Sequence, residues 1–261
     1  MDKEYGKVYL VGAGPGAPDL ITLRAARLLE QADIVFYDAL VHPDTVALAG
    51  QAIKVPVGKR CSQVSTDQRF INRNLVEAAH KHQTVVRLKG GDPMLFGRAQ
   101  EEIDALEAAG IAYEVVPGIT AALAASADLG VSLTKRGVSR SVTFATPRIG
   151  DGEDAGEWAR GVIASDTNVL YMGVGQAAAI SAGLITQGMP PDTPVAVVEN
   201  ASLPDSRTFR CTLAGLPQAT AWKQTGPAII LMGEVYRRKA AEQVITDAAH
   251  AVASLIAASA A

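Results

Sequence analysis

Cysteine is scarce in this sequence, and so are aromatic side chains and clustered basic charge. Its two cysteines, Cys61 and Cys211, lie far apart and make no metal-ligand spacing. A disulfide scaffold and a zinc module are therefore excluded as organising principles. Two idle thiols fit a reducing compartment, so the expected location is cytoplasmic. The four histidines, His42, His80, His82 and His250, show no zinc pattern either, and no metal is expected. A net charge of −3 leaves no electropositive footprint for nucleic acid. No apolar run approaches the roughly 20 residues a membrane span requires. The charged opening MDKEYGKVYL runs straight into a strand-like segment rather than a secretion signal. What is present is an ordinary globular balance, 48% hydrophobic and 20% charged, in 261 residues, which suits one large domain or two of common size.

The first half alternates strand and helix signals. Strand-like runs at Lys7–Val11, Ile34–Tyr37, Ile53–Val57, Thr84–Leu88 and Tyr113–Val116 are separated by segments with helical spacing. Those segments run from Asp19 to Ala32, from a Ser65/Gln68 capping box through Ala78, and from Ala99 to Ala109. Such alternation implies βαβ units and a mostly parallel sheet. Beyond Gly118 the pattern changes. Ala121–Ala127 reads as a small-residue helix. Strands are expected at Val142–Thr146, Asn168–Met172, Val195–Val198, Thr208–Leu213 and Ala228–Met232, with helices near Glu157–Ala164 and Ala177–Gln187. The closeness of the last two strands allows an antiparallel pair. The expected division is an N-terminal α/β domain over 1–118, a C-terminal mixed α/β domain over 119–240, and an Ala-rich tail over 241–261.

Three turns carry chemistry. Gly12-Ala13-Gly14-Pro15-Gly16 follows a strand, as a dinucleotide loop does, but no third glycine stands three positions on. Pro15 removes an N–H that a phosphate would use, and Asp19 would repel it. Val86 to Arg98 ends a strand in Gly90-Gly91-Asp92-Pro93, a tight turn where ligands of open α/β sheets bind. Lys89, Asp92, Arg98 and Glu101 crowd around it. Pro117-Gly118-Ile119-Thr120-Ala121-Ala122 feeds a helix of small residues, which admits either a ligand or tight packing. Taken singly, each turn is also compatible with plain structure.

In order along the chain, GAGPGAPDLITL, YDALV, VGKR, VVRLKGGDPMLFGR, VPGITAA, SLTKR, LYMG, VENA and GPAIILMGEV resemble the uroporphyrinogen-III C-methyltransferases of the tetrapyrrole methylase superfamily. The likeness runs from about Gly6 to Val235. It implies two α/β domains with the active site in the cleft between them, a homodimer, and a small tetrapyrrole substrate. The implied reaction methylates uroporphyrinogen III at C2 and C7 with S-adenosylmethionine, giving precorrin-2 via precorrin-1 and releasing S-adenosylhomocysteine. The chain is similar to the stand-alone form rather than to the fused sirohaem synthase. Corrin-ring methyltransferases and diphthine synthases share the first motif, but VVRLKGGDPMLFGR with TKR and LYMG fits the uroporphyrinogen branch.

The same resemblance assigns residues. Asp38 matches the proton acceptor. Lys59 matches a proton donor, or a contact to substrate carboxylates. Arg98 and Arg136 are candidates for gripping those carboxylates, since a guanidinium offers two parallel hydrogen bonds. Glu101, one turn beyond Arg98, either orients it or meets pyrrole N–H groups. Pro15, Gly90, Gly91, Asp92, Leu95, Thr120, Ala121, Met172, Ala201 and Ala228 match the cofactor-binding positions, and Met172 is also a substrate contact. One departure is local: Ala99-Gln100 stands where the family usually shows Gly-Gly.

Overall fold

The computed structural model describes residues 5–58, 68–148, 157–220 and 224–237. Lys59, Cys61, the Ser65 cap and the 241–261 tail lie outside them. Two compact units result: one of 1–130 with 198–208 and 223–229, the other of 131–197 with 209–222 and 230–261. The break thus falls after Gly130, where the sequence reading divides at 118. Helix Ala121–Leu129 belongs to the first unit, and so does a stretch far along the chain.

The first unit is built on strands β1 (Lys7–Gly12), β2 (Ile34–Tyr37), β3 (Ile53–Pro56), β4 (Thr84–Lys89) and β5 (Tyr113–Val116). Their order is β3-β2-β4-β1-β5, and every pair is parallel. Parallel strands need crossovers, and helices supply them. These are α1 (Leu23–Glu30), α2 (Pro43–Ala47), α3 (Gln68–Ala79) and α4 (Ala99–Ala108), with α5 (Ala121–Leu129) following β5. The expected helix from Asp19 instead splits into a 3-10 turn at Pro18–Leu20 and α1. Thr22 starts α1 by accepting a hydrogen bond from Ala25 N at 3.2 Å, which satisfies one of its orphan donors.

Both faces of this sheet are buried. On one, Val8, Leu10, Ile34, Phe36 and Val85 pack with Ile71 and Leu75 of α3 and Ile103 and Leu106 of α4. On the other, Val11, Val35, Val86 and Leu88 pack with Ala25 and Leu29 of α1 and Val46 of α2. Continuous apolar runs rather than alternation are what a doubly covered parallel sheet requires.

The second sheet has strands β6 (Val142–Ala145), β7 (Thr167–Tyr171), β8 (Pro194–Glu199), β9 (Arg207–Thr212) and β10 (Ala228–Gly233), in the order β6-β7-β10-β8-β9. Helices α6 (Glu157–Ile163) and α7 (Ala177–Thr186) connect the earlier ones. β6 and β7 are parallel. The short link 200–206 between neighbours β8 and β9 cannot hold a parallel crossover, so that pair is antiparallel and the sheet is mixed. The pairing of β9 with β10 that their closeness allows does not occur: β10 inserts between β7 and β8, leaving β9 at the edge. Among the described residues no helix is long and apolar enough to cross a membrane.

Candidate functional site

In the first unit, β4 leaves toward the face bearing α4, while both its neighbours, β1 and β2, leave toward the face bearing α1 and α2. Chain segments that part to opposite faces open a crevice at the carboxyl ends of the strands, where α/β sheets bind ligands. Three turns meet there. Ala13 N donates to Lys89 O at 2.8 Å, and Gly14 and Gly91 exchange N–H···O bonds of 3.2 and 2.7 Å. Gly118 packs its main chain on Gly12 and Gly91 so closely that a Cβ on Gly12 would sit 2.6 Å from Gly118 Cα. Asp92 ties the turns together by accepting from Met94 N at 2.8 Å and Gly118 N at 2.9 Å. Behind the first turn, Ala17 N donates to Ser202 Oγ at 3.0 Å, and Ser202 N donates to Asp128 at 2.8 Å.

Asp38 follows β2 at the same edge, its N donating to Leu88 O at 3.3 Å. Its carboxylate, 28% exposed, accepts from Arg87 Nη2 at 2.6 Å. Arg87 is buried, and its Nε donates to Glu102 Oε1 at 2.9 Å. Lys89 Nζ donates to that same oxygen at 3.0 Å and Gln68 Nε2 at 3.3 Å. Glu102 is fully buried, and its Oε2 has no hydrogen-bond partner among the described residues. Two cations and two carboxylates thus form one chain from α4 to the open end of the sheet. Burial pushes the Lys89 ammonium below its ordinary pKa, and the adjacent Arg87 charge adds to that. Burial also opposes the Arg87 charge, but Asp38 and Glu102 outweigh it and raise its pKa.

Residues 7–217 match the family model described as Tetrapyrrole (Corrin/Porphyrin) Methylases. The chain belongs to the tetrapyrrole methylases. A uroporphyrinogen-III C-methyltransferase of Pseudomonas aeruginosa is 46% identical over 233 residues, 89% of this chain and 95% of that protein. A siroheme synthase of a Psychrobacter species is also 46% identical, over 89% of this chain but only 48% of its own length. The chain thus spans about half the length of the siroheme synthases it matches. Among solved structures, a Thermus thermophilus uroporphyrin-III C-methyl transferase complexed with S-adenyl homocysteine superposes with a TM-score of 0.76 at 41% identity, over 88% of this chain and 98% of that one. A cobalt precorrin-4 methyltransferase of cobalamin biosynthesis gives 0.77 at 30% identity, over 89% and 96%.

Most of the residues singled out from the sequence come together in the first unit of this methylase. Gly90, Gly91 and Asp92 form the β4 turn, and Leu95 N donates back to Asp92 O at 3.3 Å. Thr120 is the N-cap of α5 and Ala121 its first residue. Pro15 precedes Gly16, whose Cβ position lies 3.3 Å from Ala201 O. Asn200 N donates to Pro227 O at 2.9 Å, which brings the Ala201 segment to the start of β10 at Ala228. Arg98 is the N-cap of α4 and Glu101 lies in its first turn. There they form a bidentate pair of 2.7 and 2.8 Å, exposed to solvent, and Arg98 holds the Glu101 carboxyl below its ordinary pKa. Ala99 is buried and begins the helix. Arg136 and Met172 belong to the second unit. Arg136 is exposed in the turn closed by Lys135 and Ser139, and Met172 follows β7 with a left-handed φ of 56°.

Sequence reasoning missed Arg87 and Glu102. The signal was available: Arg87 and Lys89 alternate with Val86 and Leu88 in a central strand, so both point to one buried face. Cations there demand buried carboxylates.

Proposed function

We propose that this methylase transfers methyl groups from S-adenosylmethionine to C2 and C7 of uroporphyrinogen III, giving precorrin-2 via precorrin-1. The observation that carries the reading is the Asp38 carboxylate, partly exposed and held from behind by Arg87, at the sheet edge that also bears the three glycine turns. The named relatives of near-equal length support it.

The turns suit this cofactor. The first turn lacks the third glycine of a dinucleotide loop, Pro15 offers no N–H, and the Asp19 charge would repel a phosphate. Gly91 has a φ of +68°, and a Cβ on it would meet nothing nearer than Thr120 Cα at 3.9 Å. A side chain would fill that space, and a ligand held by main-chain groups fits it. Pro15, Gly90, Gly91, Asp92, Leu95, Thr120, Ala121, Met172, Ala201 and Ala228 would hold the cofactor, Asp92 through the turns it fixes. S-adenosylmethionine supplies an electrophilic sulfonium methyl, so positioning carries much of the acceleration.

Exposed Leu40, Met94 and Phe96 offer apolar surface to the macrocycle, with Leu40 at 63% exposure and beside Gly90. Arg98, Arg136 and Lys59 would meet its carboxylates, with Glu101 holding Arg98 in place, and Met172 would contact the macrocycle. Once a ring carbon is methylated, the cationic macrocycle loses a proton, and the Asp38 carboxylate is the group that accepts it. The working form is a homodimer in the cytoplasm.

The test is anaerobic incubation of the chain with uroporphyrinogen III and labelled S-adenosylmethionine. The expected product carries two labelled methyl groups, and Asp38→Asn lowers its rate by about 10²–10⁴, the span of general-base contributions. No dimethylated product beside an active control enzyme refutes the assignment.

A further inference from the structure

Asp38 does not stand alone, and its support carries an inference that rests on the proposed reaction. We infer that Arg87 is a positioning residue: clamped by Glu102, its guanidinium fixes the Asp38 carboxylate in the orientation that receives the substrate proton. Arg87 is 3% exposed and Asp38 28%, so substrate reaches the carboxylate and not the guanidinium. Arg87 spans two carboxylates through different nitrogens, Nη2 to Asp38 at 2.6 Å and Nε to Glu102 at 2.9 Å. Its Nη1 donates to Leu88 O at 3.3 Å.

That geometry leaves the guanidinium no alternative rotamer without breaking a buried ion pair. Glu102 is held in turn by Lys89 and Gln68, on β4 and α3. Four elements, β2, β4, α3 and α4, therefore converge to set one oxygen of Asp38. Two cationic side chains face two carboxyl side chains along this chain, and Asp38 is the member at its open end.

A lysine at position 87 carries the same charge but no planar fork, so it cannot bridge both carboxylates. The experiment compares Arg87→Lys, Asp38→Asn and the double variant by steady-state methylation of uroporphyrinogen III. Calorimetric binding of S-adenosylhomocysteine and thermal melting are measured in parallel. Arg87→Lys is expected to lower kcat by about 10- to 100-fold, the scale of an ångström-sized misplacement. KM for the methyl donor and the affinity for S-adenosylhomocysteine should stay within about two-fold, because Arg87 touches neither.

In the Asp38→Asn background the same change should cost almost nothing further, since there is no carboxylate left to orient. Should Arg87→Lys fail to melt cooperatively, Arg87→Gln, which leaves Glu102 paired with Lys89, is expected to show the same split. Full kcat in Arg87→Lys, or losses that multiply in the double variant, overturns the role of Arg87 alone. An unsubstituted chain that leaves uroporphyrinogen III unmethylated overturns the reaction itself, and this inference with it.

Discussion

Gly12→Ala tests whether the three turns form one rigid edge. The added Cβ would lie 2.6 Å from both Gly118 Cα and Gly118 N, and 2.7 Å from Gly91 O. Ordinary contact begins near 3.4 Å, and all three atoms are backbone, so no side chain can rotate away. Gly12 pairs in β1 with Lys89 of β4, so retreat of one strand end strains its ladder. Overpacking of this kind costs about 3 kcal/mol, the upper part of the usual range. At roughly 2–4 °C per kcal/mol for a chain of this size, the melting temperature should fall by about 6–12 °C. The turns must also separate, so calorimetric affinity for S-adenosylhomocysteine should fall at least about ten-fold. Gly50→Ala is the control: its Cβ meets nothing within 4 Å and its φ is ordinary. A Gly12→Ala protein with the melting temperature and ligand affinity of Gly50→Ala would refute the packed-edge account.

Other consequences are simpler to measure. Gly183→Ala, within α7 and with open space around its Cβ, should stabilise the chain by about 0.5–1 kcal/mol in urea titration; no gain means the helix is under another constraint. Burial pushes the Cys211 thiol up to about 11, so in a Cys61→Ser background iodoacetamide should react slowly at pH 7–8 and accelerate steeply toward pH 11; a plateau already reached by pH 9 contradicts this. Burial works against the Glu199 charge, but the N–H groups of Thr225 and Gly226 and the Arg207 guanidinium outweigh it and hold its carboxyl low. Its stabilisation is therefore complete above the ordinary value of 4.5 and lost as pH falls through the lowered one. Urea midpoints should drop below about pH 4.5, and less steeply in Glu199→Gln; identical slopes would remove Glu199 from the explanation.

The strands of the first sheet were legible because each is a short β-branched or apolar run ended by glycine, proline or aspartate, and local chemistry sufficed to bound them. Their order was not. It depends on where each crossover lands, and β4 enters between β2 and β1 only because α3 and α4 cover one face while α1 and α2 cover the other. The same limit explains β9 and β10: closeness in sequence suggested a pair, yet β8 had already taken the place beside β9. The site divides along this line. The glycine turns and Asp38 lie in contiguous motifs, and the family resemblance of those motifs singled them out. The Arg87–Glu102 contact joins a strand to the helix that follows it, and the Arg87–Asp38 contact joins two strands 49 positions apart. Alternation in β4 announces that Arg87 and Lys89 share a buried face and need carboxylates, but not which ones. Glu101 and Glu102 are adjacent on α4, and helical geometry turns them about 100° apart. One meets Arg98 in solvent while the other is driven into the core. The distinction between a surface ion pair and the clamp behind Asp38 thus rests on the rotation of a single helix, which the packing of Ala99, Ile103 and Leu106 against the sheet sets.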